Sequence, residues 1–160
     1  IFFKPETTMN PELEKLYDGN TLECVRQLHY SMANENSVDI TLFVNGFPIV
    51  IMELKNQYTG QDVNNSIHQF KFDRDPEEPI FTFNQRSLVY FGVDLFECVM
   101  TTKLDKGNTY FLPFNQGSNG AGKVGGAGNP NNKNGFGTSY LWEKVLCKDS
   151  LLEILQKYMH

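Results

Sequence analysis

The chain has 160 residues, of which 40% are hydrophobic and 21% are charged, and its formal net charge is −5. This length suits one domain with its own core, and the acidic balance disfavours nucleic-acid binding except through a local basic groove. No apolar run approaches the ~20 residues that a membrane-spanning helix needs, and the N-terminus lacks the pattern of a signal peptide.

The first third of the chain predicts a short helix, a strand and a β-hairpin. After an irregular lead-in, residues 11–17, "PELEKLY", suit a single helical turn, and residues 21–31, "TLECVRQLHYS", suit a strand. Residues 38–56, "VDITLFVNGFPIVIMELKN", predict a hairpin, because two runs of β-branched and aromatic residues flank Asn45-Gly46.

The middle of the chain predicts one helix and several short strands. Val63, Ile67 and Phe70 repeat at helical spacing within residues 59–75, and the prolines of "DPEEP" end the helix. Further strands are predicted for the apolar runs at residues 80–84, 87–93, 97–104 and 109–114. Together these elements predict a mixed α/β domain with a central sheet.

The last part of the chain predicts a loop followed by helices. Residues 115–137 consist almost wholly of Gly, Asn, Ala and Lys, so they should form a long mobile loop that buries no core. Helices are predicted over residues 140–146 and 150–159. Ser150 and Glu153 fit a capping box at the start of the second helix, where the preceding aspartate adds further capping chemistry.

The cysteines and histidines show no metal-binding pattern. Cys24, Cys98 and Cys147 are widely spaced and form no CxxC pair, which predicts buried structural thiols in a reducing cytosol rather than a zinc site or disulfides. The three histidines, among them His160, also lack ligand spacing, which favours ordinary surface or core positions.

Three charged residues, Asp39, Glu53 and Lys55, gather at one end of the hydrophobic hairpin. Buried strands rarely keep charges unless these are paired, bind a metal or lie at a sheet edge. The spacing spells D…ExK, the pattern of nucleases of the PD-(D/E)xK type, in which two carboxylates hold Mg²⁺ and the metal activates water. The lysine, two residues after the glutamate, projects from the same face and can orient that water. By itself the motif is short, and a solvated strand end is the alternative interpretation.

The register of the hairpin tests this hypothesis. A strict two-residue turn at Asn45-Gly46 pairs Asp39 with Met52 and turns Glu53 to the other face of the sheet. One extra residue, as a bulge or a longer loop, pairs Asp39 with Glu53 instead, because a one-residue slip exchanges the two faces of a strand. A proline beside the turn, which has no N–H to donate, disfavours a perfect tight ladder. The nuclease hypothesis therefore predicts the extra residue.

Polar residues on the predicted helix form a second candidate group. Gln69 and Asp73 share one flank of the apolar stripe, near Asp62, and the glutamine could reach the metal site or a DNA phosphate. A surface role on an amphipathic helix fits the pattern equally well. Lys71 and Arg74 lie on the helix flank too, where solvated side chains are expected.

Several distinctive stretches run from one end of the chain to the other: "FFKPETTMNPE", "RQLHYS", "SVDITLFVNGFPIVIMELKNQYTGQ", "QFKFDRDPEEPIF", "MTTKL", "FLPFNQG…GGAGNP" and "YLWEKVLCKDSLLEILQKYMH". Together they strongly resemble the N-terminal nuclease domain of the restriction (R) subunit of type I restriction–modification enzymes. The resemblance implies an α/β, restriction-endonuclease-like fold, in which a mixed β-sheet is flanked by helices.

The resemblance implies a set of site residues: Asp39 and Glu53 as Mg²⁺ ligands, the backbone carbonyl of Leu54 as a further ligand, Lys55 as the catalytic lysine and Gln69 as a catalytic glutamine. Asp73 stands where the family motif that contains this glutamine has a tyrosine. Only the glutamine of that motif is therefore carried over.

The resemblance further implies that the chain is a fragment of a longer protein. Residues 1–137 would be the nuclease core, including the loop at 115–137, and residues 138–160 a helical segment leading toward an ATP-dependent translocase motor. The implied cofactors are Mg²⁺, ATP for the full-length chain and S-adenosylmethionine for the holoenzyme. The implied partners are double-stranded DNA and the methylation and specificity subunits, in the cytoplasm of a prokaryote and with no membrane.

The expected activity is metal-assisted hydrolysis of double-stranded DNA, without a covalent intermediate and coupled to translocation by other domains. Two alternatives remain open. The first is a free-standing nuclease of DNA repair or recombination. The second is a non-catalytic docking module of a DNA-processing complex.

Overall fold

The computed structural model describes residues 1–158 and has a six-stranded sheet at its centre. The strands, in chain order, are β1 (Leu22–His29), β2 (Ser37–Val44), β3 (Phe47–Leu54), β4 (Val89–Val93), β5 (Cys98–Thr101) and β6 (Leu112–Pro113). They lie side by side in this same order, and neighbours are antiparallel except for β3 and β4, which pair in parallel.

Three α-helices flank the sheet: α1 (Pro11–Asp18), α2 (Val63–His68) and α3 (Lys148–Tyr158). A π-helical segment, Gln69–Asp73, continues α2 without a break, and a second π-helical turn, Leu141–Val145, precedes α3. The mixed sheet with its flanking helices confirms the predicted α/β fold. None of the helices within residues 1–158 has the length and apolar character needed to cross a membrane.

The two faces of the sheet bury separate cores. One core combines β2, β3, β4 and β5 residues with Leu151, Leu152 and Leu155 of α3, and we call this side the α3 face. The other core includes Ile51 of β3 and Phe70 from the π-helical segment, and we call it the α2 face. The parallel β3–β4 pair forms the middle of the sheet, where both faces are covered. Its strands therefore consist of nearly continuous apolar residues.

The helix α2 approaches the sheet closely. Ser66 and Phe70 are fully buried, whereas Ile67, a member of the predicted stripe, is only half-buried. The backbone N–H of Val63 donates to Oδ2 of Asp94, at the end of β4, over 3.0 Å. This contact satisfies one of the free N–H groups at the helix start and anchors α2 to the carboxyl end of the parallel strands.

One predicted strand and one predicted cap are wrong. Residues 80–84 form no strand, because Pro79 opens a 3₁₀ turn, Pro79–Phe81, whose Phe81 ring fills the core on the α2 face. The last helix begins at Lys148, so Ser150 lies inside it rather than at its cap. Asp149 binds Lys4 at 2.6 Å and also accepts a hydrogen bond from the Tyr17 hydroxyl, which ties the N-terminal segment and α1 to α3.

The predicted burial of all three thiols is also wrong. Cys98 is buried, but Cys24 and Cys147 are exposed, and all three are free. The strand β1, which carries Cys24, has no fully buried residue, since neither of its faces is covered as well as those of the inner strands. His160 and the last residue of the predicted 150–159 helix lie outside the described residues.

The Gly/Asn-rich segment at 115–137 has no helix or strand, as its composition predicts. It is nevertheless attached to the sheet. Asn115 accepts from the backbone N–H of Cys98 at 2.9 Å, and Asn129 donates to Oδ1 of Asn115 and to the carbonyl of Phe96. These amides bind the backbone of Phe96 and Cys98 and so hold the segment against the start of β5.

We expect Gly92→Ala to destabilise the protein, because α2 leaves no room for a side chain at this position of β4. A Cβ there would lie 2.1 Å from Oγ of Ser66 and 3.1 Å from Cγ2 of Val99. The free energy of unfolding, measured with urea, should fall by about 1–3 kcal/mol, the usual cost of overpacking. Gly107→Ala is the matched control, since its Cβ would meet nothing closer than 3.6 Å. Equal stability of the two variants would contradict the close contact.

Candidate active site

A β-bulge sets the register of the hairpin. Val44 pairs with Phe47 across a two-residue turn in which Asn45 and Gly46 both have positive φ, as a type I′ turn requires. The register then shifts, because Leu42 pairs with Val50 whereas Phe43 pairs with Pro48. This leaves one extra residue in β3, which confirms the predicted insertion.

The bulge places Asp39 and Glu53 on the same face. Ile40 pairs with Met52 as the last pair of the ladder, and Asp39 and Glu53 are the next residues on the two strands. Residues directly opposite each other in an antiparallel pair point to the same side. Glu53 follows Ile51 by two residues and so lies on the α2 face, and the negative charge of Asp39 contributes to the raised pKa of Glu53, so the two carboxylates are neighbours.

Asp39 is held by two hydrogen bonds and remains partly accessible. Oδ2 accepts from the backbone N–H of Leu54 at 2.8 Å, and Oδ1 accepts from Nε2 of Gln27 at 2.9 Å. Gln27 has a positive φ of 50°, an irregularity of β1 opposite Asp39. A carboxylate offers about four lone-pair sites, so both oxygens keep acceptor capacity.

Glu53 is completely buried and, among the residues that the structure describes, binds one side chain. Nε and Nη2 of Arg74 both donate to Oε1, at 2.9 and 2.6 Å. Oε2 is buried too and has no hydrogen-bond partner within residues 1–158. Burial raises the pKa of Glu53 from 4.5 to about 7, although the Arg74 guanidinium opposes that shift.

Lys55 and Gln69 join the end of β3 to the helix. The ammonium of Lys55 donates to Oε1 of Gln69 at 2.5 Å. Lys55 follows Glu53 by two residues, so both project from the same face, and its backbone N–H extends the pairing with β4 through Val93. The four predicted site residues with side-chain roles are thus gathered at one end of the hairpin.

The residue that accompanies Gln69 at the site is Arg74 and not the predicted Asp73. Asp73 is exposed, and the predicted solvated position of Arg74 is wrong, because its side chain is only 5% exposed. Arg74 is the first residue after the π-helical segment and has an extended backbone, so its side chain leaves the helical spacing and turns to Glu53. Gln69 and Arg74 therefore reach the same end of the hairpin. In the sequence, Arg74 is only a positive charge close to acidic residues. The fold is needed to show that it binds the buried carboxylate of Glu53.

The donor set suits a small, hard divalent cation. An orphaned buried carboxylate oxygen, a second carboxylate opposite it and a nearby backbone carbonyl are oxygen ligands of the kind that Mg²⁺ prefers. Within residues 1–158 no group of three or more His, Cys, Asp or Glu side chains is arranged to hold a metal. Mg²⁺ usually keeps several waters and needs only one or two carboxylates, so two are sufficient.

Comparisons with known proteins show which family the sequence resembles. A family model described as the type I restriction enzyme R protein N terminus matches residues 5–109, which include the whole candidate site. The Escherichia coli protein "Type I restriction enzyme EcoprrI endonuclease subunit" is 30% identical over 94 residues. The matched region is 58% of this chain and 30% of that relative, so most of the relative has no counterpart here. No solved structure matches the chain.

We expect the stability of the protein to fall as the pH rises from about 4.5 to about 7, because the folded-state pKa of Glu53 exceeds its ordinary value. Protonated Glu53 favours the folded state, so its contribution is complete below pH 4.5 and is lost as the pH passes about 7. The loss should be up to roughly 3 kcal/mol, since one pKa unit corresponds to ~1.4 kcal/mol.

Urea unfolding across this pH range, with a chelator present, measures the effect. Glu53→Gln should flatten the profile, whereas Glu97→Gln, at an exposed position, should leave it unchanged. A profile that Glu53→Gln does not alter would contradict the assigned cause.

Proposed function

Because the chain belongs to the family of type I restriction enzyme R protein N termini, we propose that it is the endonuclease module of such an enzyme. Its reaction would be the Mg²⁺-dependent hydrolysis of phosphodiester bonds in double-stranded DNA. One observation carries the proposal: Asp39 binds the backbone beside Glu53, whose buried Oε2 has no partner in the described part of the chain. Leaving such a group unpaired costs free energy, which a cation would offset.

Asp39 and Glu53 would hold the metal, with the backbone carbonyl of Leu54 as a further oxygen ligand. When bound, Mg²⁺ supplies a Lewis acid that lowers the pKa of water and neutralises charge on the phosphate. The Leu54 N–H donates to Asp39 and holds its carboxylate against the strand. This bond restricts the directions of the lone pairs that remain free on the Asp39 carboxylate. Asp39 is therefore preorganised by the backbone of the hairpin.

Lys55 and Gln69 would act on water and phosphate. The Lys55 ammonium lies on the same face as Glu53 and can orient the attacking water and stabilise negative charge that develops on the phosphate. Gln69 accepts from this ammonium and so fixes the long, flexible lysine side chain. Direct attack by water requires no nucleophilic side chain, and the proposal includes no covalent intermediate.

The proposal extends to the longer protein of which this family forms the N terminus. The relative from Escherichia coli is named an endonuclease subunit, and this chain matches 30% of it. We propose that ATP-driven translocation, the methylation and specificity subunits and the S-adenosylmethionine of the holoenzyme belong to that longer assembly, in a prokaryotic cytoplasm. The net charge of −5 favours DNA binding that is shared with such partners.

Glu53→Ala in the complete restriction complex should abolish DNA cleavage while ATP hydrolysis continues, because the change removes a metal ligand but leaves the motor intact. Cleavage of circular DNA that carries the recognition site and ATP hydrolysis are measured on the same sample. Glu97→Ala, at an exposed position on the loop after β4, is the control and should cut normally.

Undiminished cutting by Glu53→Ala would refute the catalytic assignment and favour a non-catalytic docking module. A free-standing nuclease is distinguished by the wild type, which would then cut DNA without ATP or the other subunits.

Gln69→Ala should lower the cleavage rate by about 10–100-fold, the usual effect of removing a group that orients a catalytic residue. Mn²⁺ binding should remain close to that of the wild type, because Gln69 contacts Lys55 and neither carboxylate. Gln61→Ala, at an exposed position before α2, is the matched control. If Gln69→Ala weakens Mn²⁺ binding as strongly as it slows cleavage, Gln69 acts on the metal site instead.

A further inference from the structure

Arg74 is a buried cation that engages one oxygen of a buried carboxylate. Its side chain is 5% exposed and that of Glu53 is 0% exposed. Nε and Nη2 both donate to Oε1, and neither of these nitrogens donates to Oε2. Such a pair differs from the usual fork arrangement, in which the guanidinium covers both carboxylate oxygens. The guanidinium therefore pins one oxygen of Glu53 and leaves the other uncovered.

Further contacts fix the guanidinium itself. Nη2 also donates to the backbone carbonyl of Ser37 at 2.9 Å, and Cζ lies 5.7 Å from the centre of the Tyr30 ring. Ser37 begins β2, two residues before Asp39. Arg74 thus joins the strand that carries Asp39 to the strand that carries Glu53, with an aromatic ring against its face.

We propose that Arg74 is a positioning residue, which holds the Glu53 carboxylate so that Oε2 is presented to a divalent cation together with Asp39. This inference rests on the proposed function. Nothing in the D…ExK pattern calls for an arginine at this place. The role follows from the bonds of Arg74 to Oε1 and to the Ser37 carbonyl, and from the lack of a partner for Oε2 within residues 1–158.

A positioning role and a simple counter-charge role predict opposite results. If Arg74 merely balanced charge, its removal would favour a cation, and lysine would replace it. If Arg74 orients Glu53, its removal should weaken cation binding, and lysine should fail as well, because an ammonium is a point charge without the guanidinium fork. The sign of the change in affinity therefore separates the two roles.

The test is the binding of Mn²⁺ alone, followed by electron paramagnetic resonance, in the full-length protein without DNA or ATP. The Mn²⁺ bound by the wild type but lost in Glu53→Gln belongs to this site. Arg74→Lys and Arg74→Ala should each bind this Mn²⁺ about 10–100-fold more weakly, as is usual when a partner of a metal ligand is removed. Arg86→Ala, at an exposed arginine, is the control and should bind normally.

Chemical rescue adds a measurement that general destabilisation would not change. Methylguanidinium added to Arg74→Ala should restore part of the Mn²⁺ affinity, whereas methylammonium should not. Binding by the Arg74 variants that equals or exceeds that of the wild type overturns the positioning role. If instead the wild type binds no Mn²⁺, or Glu53→Gln binds as the wild type does, the proposed metal site fails regardless of Arg74.

A milder pair of variants decides the question if the Arg74 variants do not fold. Tyr30→Leu removes the ring from the guanidinium, while Tyr30→Phe keeps it. Tyr30→Leu should weaken Mn²⁺ binding about two- to fivefold, the worth of one cation–π contact, and Tyr30→Phe should bind as the wild type does. Equal affinities for the two Tyr30 variants would overturn the inference.

Discussion

One extra residue in β3 decides what the central sheet presents on each face. The bulge lies between the Leu42–Val50 and Phe43–Pro48 pairs, and as a result Ile49 and Val50 both enter the core on the α3 face. Beyond it the strand has changed register by one residue. Glu53 consequently faces the same side as Asp39, whereas an unbroken ladder would bury its charge among the leucines of α3.

The second requirement is that α2 lies almost in contact with the sheet. Gly92 has no side chain, and Ser66 occupies the space that one would fill. Asp94 binds the first turn of α2 and thereby sets where the helix starts along β4. From this fixed start, the π-helical segment brings Gln69 to Lys55 and, after the helix ends, Arg74 to Glu53. The helix therefore orients both charged residues of the ExK motif.

The sequence predicted the parts of the site that depend on local pattern. Asn45-Gly46 marked the hairpin, and the neighbouring proline together with the spacing of Asp39 and Glu53 indicated the bulge. The burial of Arg74 was not predictable, because a cation becomes a core residue only when a buried carboxylate meets it. The strand predicted over residues 80–84 is wrong because periodicity cannot distinguish an apolar strand from a turn that inserts Phe81 into the core.

The side-chain contacts of Asp39, Glu53 and Lys55 join residues close in the chain. The bond from Leu54 to Asp39 spans 15 residues, that from Lys55 to Gln69 spans 14, and that from Arg74 to Glu53 spans 21. The entropy lost on closing a loop grows with its length, so these short loops form at small entropic cost. The hairpin and the helix that follows it thus constitute a nearly self-contained unit of low contact order. Insertions elsewhere in the sequence, such as the Gly/Asn-rich segment, leave the spacing of the site residues unchanged.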